Sequence, residues 1–534
     1  MPIKRLILLL VLWLGLVPFA AAQPATFPHH LLALLPDDFA ICLVMHDLRG
    51  NAARWEQSAW LKKFRQSPLG KAYLDSPEAR QLENLQSELK KHLDLDWPTL
   101  RNEILGDTLI LSYSPGPKDE ERGLFLLHLR NPDRLNRLIK QLNKAQIAEG
   151  KVKVSDLVHN GVTYHRRVEG SKTQYYIVKD SLAAATSNEA IMKAFLARQA
   201  SPPRDNPWKK RFERSGADAA FVTLCVNPRM LDAEILQSKK KDDPFPGYWK
   251  ALDAIFVTGS IRADAEARIV IQANVNELPD WARGAFTHTT ETSPLWQRFP
   301  EESILTIATK TEFTGLVDAL KLVMPPEDRK KLEGFKEYLP VIGPDWGVCV
   351  LPSKDASQLP PALFALALQA GPKQADQTLV KTLEGFLELG VQAHNQKNPD
   401  AKLEVKTVMQ EKVAVKYLSG EKVFPPGLQP AWALKDGFLL VATSPEAIRS
   451  FRTLDKQAAL PKDAPMVRIS APELARLLEH RRKHILASVT DKDAEKNLNN
   501  VIAFLNLFDR LTFGQQGEAG QATWTIRLSP AVNR

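Results

Sequence analysis

His480 and His484 stand four residues apart in a stretch predicted as helix, the spacing at which two imidazoles share a face and can meet one metal ion. Arg481, Arg482 and Lys483 lie between them and would repel a cation, so no metal site is expected. Asp94 and Asp96, in LDLDW, could hold a hard cation through paired carboxylates. Asp96 directly precedes Trp97-Pro98, however, and is expected to cap a helix there. Asp107 and Asp345 each precede a predicted strand, after Gly106 and Pro344, and such an aspartate is expected to close an Asx turn. His29-His30, in the tail that follows the leader, is a weak ligand pair by itself. Tyr164, Tyr175, Tyr176, Trp249 and Trp296 could stack on a sugar or a base, but aromatics alternating along strands are expected in the core or in cross-strand pairs. HExxH, GxSxG, GxGxxG and P-loop patterns are absent. The sequence therefore assigns no catalytic, cofactor-binding or metal-binding residue, and no cofactor is expected.

The elements that would carry these residues are organised around KDSLAAATSNEAI, Lys179 to Ile191, which returns as KDGFLLVATSPEAI at Lys435 to Ile448. Each copy reads as a turn, a buried strand and a helix start. The Thr186/Glu189 and Thr443/Glu446 spacings suggest capping boxes, and Pro445 suits the first helical position. The second copy has one more residue between Asp and Thr, which a bulge or the turn is expected to absorb.

The flanking order repeats as well. LPDDF before Ala40–His46 is matched by FPEES before Ile304–Thr309. Helices are expected over residues 53–104 and, more briefly, over Phe313–Val323 and Asp328–Tyr338. A strand pair and a helix follow, the helix opening at Asn131-Pro132 in one copy and at Gly371-Pro372 in the other. Short strands come next, with a hairpin turn at His159-Asn160-Gly161. The predicted fold is α+β: two related halves, each a mostly antiparallel, split-βαβ-like sheet extended by hairpins, with helices packed on one face. The boundaries read as a signal peptide over 1–22, a first repeat over 23–285, a linker over 286–298 and a second repeat over 299–534.

The leader has a positive start at Lys4 and Arg5, an apolar run from Leu6 to Phe19, and Ala20-Ala21-Ala22 before Gln23. That is the pattern of a secretory signal cleaved after Ala22, which sends the chain to the periplasm or outside the cell. No later stretch is apolar enough to span a membrane. The net charge of +9 falls to +7 once Lys4 and Arg5 are removed. The basic runs Lys209-Lys210-Arg211, Lys239-Lys240-Lys241 and Arg481-Arg482-Lys483 have the acidic neighbours Glu213, Asp242-Asp243 and Glu479, so solvated faces are expected rather than a polyanion site. Cys42, Cys225 and Cys349 lie far apart in apolar runs and are expected to be buried small hydrophobes.

The leader, the LPDDF opening, FRQSPLGKAYLDSPEARQLENL, WPTLRNEILGD and the ATSxEAI junction together resemble large bacterial secreted proteins known only as domains of unknown function with duplicated α+β halves. The resemblance implies an extracytoplasmic address and no activity. The expected function is non-enzymatic binding or scaffolding with a protein or anionic polymer partner. The alternatives are a secreted hydrolase with a dispersed site between the halves, or a binder of anionic polymers.

Overall fold

The structure, a computed structural model, describes residues 27–105, 107–116, 122–203, 205–236, 245–287, 291–311, 336–353, 355, 358–369, 380–420, 422–454 and 465–531. The signal peptide, Lys239-Lys240-Lys241, Gly371-Pro372 and nearly all of the helices expected over 313–338 lie outside these residues. The fold is mixed helix and strand built on antiparallel sheet. The chain forms two compact units: Met1–Ala282 with Ala519–Thr523, and Arg283–Glu518 with Trp524–Arg534.

The first unit's strands are β1 (Ile41–His46), β2 (Thr108–Ser114), β3 (Arg122–His128), β4 (Val152–His159), β5 (Val162–Glu169), β6 (Lys172–Lys179), β7 (Leu182–Thr186), β8 (Val222–Val226), β9 (Leu252–Ile261) and β10 (Ala265–Ala273). Hydrogen-bonded neighbours run β4-β5-β6-β7-β3-β2-β1-β8-β9-β10, all antiparallel. Local turn chemistry sets the outer hairpins. Asn160 and Gly161 take φ of 51° and 75° between β4 and β5, the left-handed pair that two-residue hairpins need.

The expectation of helices on one face is corrected here. Cys42 and Val44 of β1 face a core with Met192 and Phe195 of the helix Glu189–Ala200 and Trp208 and Phe212 of the helix Pro207–Ser215. Met45, one residue on, faces a separate core with Leu48 of the helix Leu48–Gln57, Trp97, and Leu135 of the helix Pro132–Ala148. Helices therefore cover both faces. The physical sign is in β1 itself, whose last five residues are all buried, because a strand sandwiched on both sides has no solvent face to alternate with.

The second unit carries β11 (Leu305–Lys310), β12 (Ile342–Val350), β13 (Ala362–Leu368), β14 (Glu404–Gln410), β15 (Val413–Ser419), β16 (Ala431–Lys435), β17 (Phe438–Ala442), β18 (Pro465–Ser470), β19 (Phe508–Glu518) and, from Trp524 onward, β20 (Gln521–Pro530). Its order is β14-β15-β16-β17-β13-β12-β11-β18-β19-β20, antiparallel from β14 to β19. Leu439 and Leu440 of β17 point into different cores. Leu440 joins Cys349, Leu363, Phe299 and Phe451, while Leu439 joins Ile342, Leu366 and Val380. Leu295, inside the stretch expected to link the halves, is fully buried in the first of these cores.

The repeated element also differs from its reading in sequence. The β6–β7 and β16–β17 hairpins have the same two-residue loop, with Lys179 opposite Leu182 and Lys435 opposite Phe438. Asn188, not Thr186, caps the first helix, accepting from the N–H groups of Ala190 at 2.9 Å and Ile191 at 3.2 Å. Ser444, not Thr443, caps the second, accepting from the Ala447 N–H at 3.3 Å. Both caps stand eight residues after the turn aspartate, so no bulge is needed. The ATS triplets match in sequence but are out of step in space by one residue.

Candidate functional site in the second unit

At one end of the second sheet, the β12–β13 connection and the β15–β16 connection meet the start of the helix Pro445–Arg449. Thr443 ties the three together. Its N–H donates to the Ala362 carbonyl at 2.9 Å, its Oγ1 accepts from the Ala362 N–H at 2.8 Å, and its carbonyl accepts from the Gln429 N–H at 2.7 Å. The threonine freed from capping is thus the clamp between two loops. Gly427, at φ +86°, lies so close to Gln358 that an added Cβ would stand 3.0 Å from that side chain. Only glycine permits both that backbone and that approach.

Between these loops opens a cavity of about 610 Å³. Leu351, Pro352, Leu359, Pro361, Phe424, Pro425, Pro426 and Leu428 give it apolar walls. Gln358, Gln429, Ser353, Ser419 and Ser444 supply neutral polar groups, and Glu446 is the one charged lining residue among the described residues. A smaller cavity of about 160 Å³ shares Pro352, Ser353 and Gln358 with it and adds Asp355, Glu473, Arg476, His480 and Arg481. Together they make one groove with a neutral, apolar body and a charged end.

The charged end is tied up locally. Arg476 holds Glu473 with two bonds of 2.7 Å, and Arg481 donates to the Gln358 carbonyl. Ser353 Oγ donates to the Asp355 carbonyl at 2.7 Å and accepts from the Asp355 N–H at 3.3 Å, which commits this hydroxyl to a turn. A nucleophilic serine needs its proton delivered to a base instead.

The residues singled out in the sequence fall elsewhere or take structural roles. The helix carrying His480 ends at that residue and a new one starts at Arg482, so the four-residue spacing to His484 spans a break. Both histidines are exposed. Asp96 caps its helix, accepting from the Thr99 N–H at 2.8 Å, and this bond holds its carboxyl below the usual range. Asp94 pairs with Lys90 at 2.8 Å. Asp107 forms no Asx turn but receives Arg130 through two contacts of 3.1 Å. His29 lies 3.9 Å from Glu213 and 4.0 Å from Asp218, and His30 meets the His128 ring at 6.1 Å. Among the described residues no group of three or more His, Cys, Asp or Glu side chains could hold a metal.

The aromatics form no platform. Tyr164 is buried and donates to Glu189 at 2.9 Å, and Tyr175 packs beside it. Tyr176 accepts from Asn143, Trp249 donates to Asp232, and Trp296 lies under the Arg468 guanidinium. Within the described basic runs Lys210 pairs with Asp205 and Arg482 with Glu479, while Arg211 stacks on Trp208. Cys42, Cys225 and Cys349 are buried free thiols, and burial pushes Cys349 up to about 12.

Asp345 is the unexpected ionisable group. It lies inside β12, not ahead of it, beside a register irregularity between Ile342 and Trp346 and opposite Lys310. Burial pushes its carboxyl above the usual range, and the Ser293 hydrogen bond and the Lys310 charge offset this only in part. Lys310 itself is engaged by Glu291. A carboxyl whose folded pKa is raised favours the fold when protonated. Its contribution is complete below the unfolded value and is lost as pH rises through the folded one. Asp345→Asn is therefore expected to be more stable than the parent at neutral pH, with the difference vanishing as pH falls below the ordinary carboxylate range. Urea unfolding at a series of pH values checks this, and equal stability of the two proteins at neutral pH would refute it.

Of the groove's residues, sequence singled out His480 and Arg481 at its charged end and Glu446 in its larger cavity, each for another role. The available signal was the pair of proline doublets, Pro360-Pro361 and Pro425-Pro426, in loops that sequence alone reads as exposed connections. No described helix is long and apolar enough to cross a membrane. No family model, curated protein or solved structure matches the chain.

Proposed function

We propose that this is an exported, non-enzymatic binding protein that holds an extended segment of another polypeptide in the groove of its second unit. The observation that carries the reading is the lining of the larger cavity, which among the described residues has apolar walls, neutral amides and hydroxyls, and a single acid. Such a surface suits apolar side chains and main-chain amides. It does not suit an anionic polymer, which needs cations along its track. Two further expectations belong to the same proposal. The leader marks the chain for the periplasm or beyond, as in the secreted proteins it resembles. The two units descend from one duplicated α+β unit, a reading supported by the identical order in which their strands neighbour one another.

The hydrolase reading has one observation in its favour, since Ser353, Asp355 and His480 line the same small cavity. Its site would then lie within one unit. The two readings separate on one preparation. Purified chain starting at Gln23 is titrated with a library of unstructured peptides and, in parallel, assayed for cleavage of peptides, esters, phosphoesters and glycosides. Peptide binding that falls at least about tenfold in Phe424→Asp, without product formation, is expected for a desolvated apolar contact replaced by a charge. Turnover abolished by Ser353→Ala or His480→Ala would overturn the proposal.

A further inference from the structure

The outer edge strands of the two units differ at one position that decides whether an edge can pair with its own copy. Among the described strands β14 pairs only with β15. Their hairpin turns over Glu411 and Lys412 at φ of 46° and 71°, the two-residue geometry whose flanking pair, Gln410 and Val413, exchanges both hydrogen bonds. Alternation from that pair turns the main-chain N–H and C=O of Val405, Thr407 and Met409 onto the open edge. Six of the seven residues of β14 are exposed, Met409 by 65%. The side chains of Val405, Thr407 and Met409 share the face where Glu384, of the helix Lys381–Lys397, receives Lys416 and Trp432. That helix leaves Phe386 and Leu389 exposed.

We propose that β14 pairs antiparallel with β14 of a second copy about a two-fold axis through Thr407, forming a dimer. In that register Thr407 faces Thr407 and Val405 faces Met409, so the three outward residues of each copy all exchange main-chain hydrogen bonds. Lys406 falls opposite Val408 and Glu404 opposite Gln410, so no like charges meet. The helices Lys381–Lys397 of both copies lie on the same side of the joined sheet. The edge of the first unit shows what prevents such pairing. β4 ends in an equivalent hairpin, with His159 opposite Val162, so its outward residues are Val152, Val154, Asp156 and Val158, of which Val152 is buried. Val158 is as exposed as Met409, so apolar exposure does not distinguish the edges. The central one of the three that are not buried does: pairing of β4 about that position would press Asp156 against its own copy, and an edge charge is how natural sheets refuse a partner.

The test is light scattering on size-exclusion eluates of the chain from Gln23, over a range of concentrations. The parent is expected at twice the chain mass. Thr407→Asp is expected at the mass of one chain, with its dissociation constant raised at least about tenfold, because it restores the guard seen in β4. Thr407→Val should remain dimeric, and all three proteins should share one circular dichroism spectrum, with the midpoint of the two dimers rising with concentration. A parent that stays monomeric at its highest soluble concentration would overturn the proposal. So would a Thr407→Asp dimer of unchanged affinity, or a different polypeptide found on this edge.

Discussion

Glu56→Ala is expected to destabilise the first unit by about 3–5 kcal/mol, because it removes the carboxylate that receives a wholly buried guanidinium. Arg101 is wholly buried and donates to Glu56 Oε1 at 3.0 Å, with its Nε donating to Asn102 at 2.9 Å. Its position is set by a single wide π turn over Leu100–Ile104, which rotates residue 101 toward the helix Leu48–Gln57. The double replacement Glu56→Met with Arg101→Met removes both charges and should recover most of the loss, because a buried pair is often no better than apolar side chains of similar volume. Thermal unfolding followed in the first unit should drop on the order of 10 °C for Glu56→Ala. A drop of the same size in the double variant would show that shape, not charge, holds this contact.

Phe451→Ala is expected to cost the second unit about 3–5 kcal/mol. Phe451 is 1% exposed, meets the rings of Phe299 and Phe438 edge-on at 6.1 and 5.6 Å, and lies under the Arg298 guanidinium. The same position anchors charge, since its carbonyl accepts from the buried Lys435 ammonium at 2.8 Å. Removing the ring opens a cavity between the helix Pro445–Arg449 and the sheet, directly behind the groove. Urea unfolding should show the loss, and Phe451→Leu, which keeps most of the volume, should show well under half of it. An alanine variant as stable as the parent would mean that this core collapses freely around the gap.

How far these features could be read from the sequence depended on whether their cause was local. Asn160-Gly161 and Asp436-Gly437 announce their hairpins because positive φ is a property of the residues themselves. Asn131-Pro132 announces its helix for the same kind of reason, with Asn131 accepting from the Arg134 N–H at 3.1 Å. The strands of β1 and β11 were legible as apolar runs, but whether one face or both would be covered was not, because the covering helices come from distant segments. The capping residues were misread by two positions at Thr186 and by one at Thr443, where the threonine is recruited by Ala362, some eighty residues earlier. His480 and His484 looked like neighbours on one helix because nothing in the RRK between them marks the break at Arg481. Asp345 looked like a turn residue because its burial depends on Ser293 and Lys310. The groove escaped for the same reason. Its two walls come from loops separated by three strands in sequence, and neither loop has a motif of its own.

The central claim, that the groove between the two loops of the second unit binds an extended polypeptide and leaves it intact, is tested most directly by amide hydrogen exchange. The chain from Gln23 is compared with and without saturating peptide selected from the unstructured library, and the peptide is weighed afterwards. The account predicts slowed exchange in the segments 358–362 and 422–429 and at the start of the helix Pro445–Arg449, with a peptide of unchanged mass. Protection confined to other segments, or a peptide recovered in pieces, would contradict it.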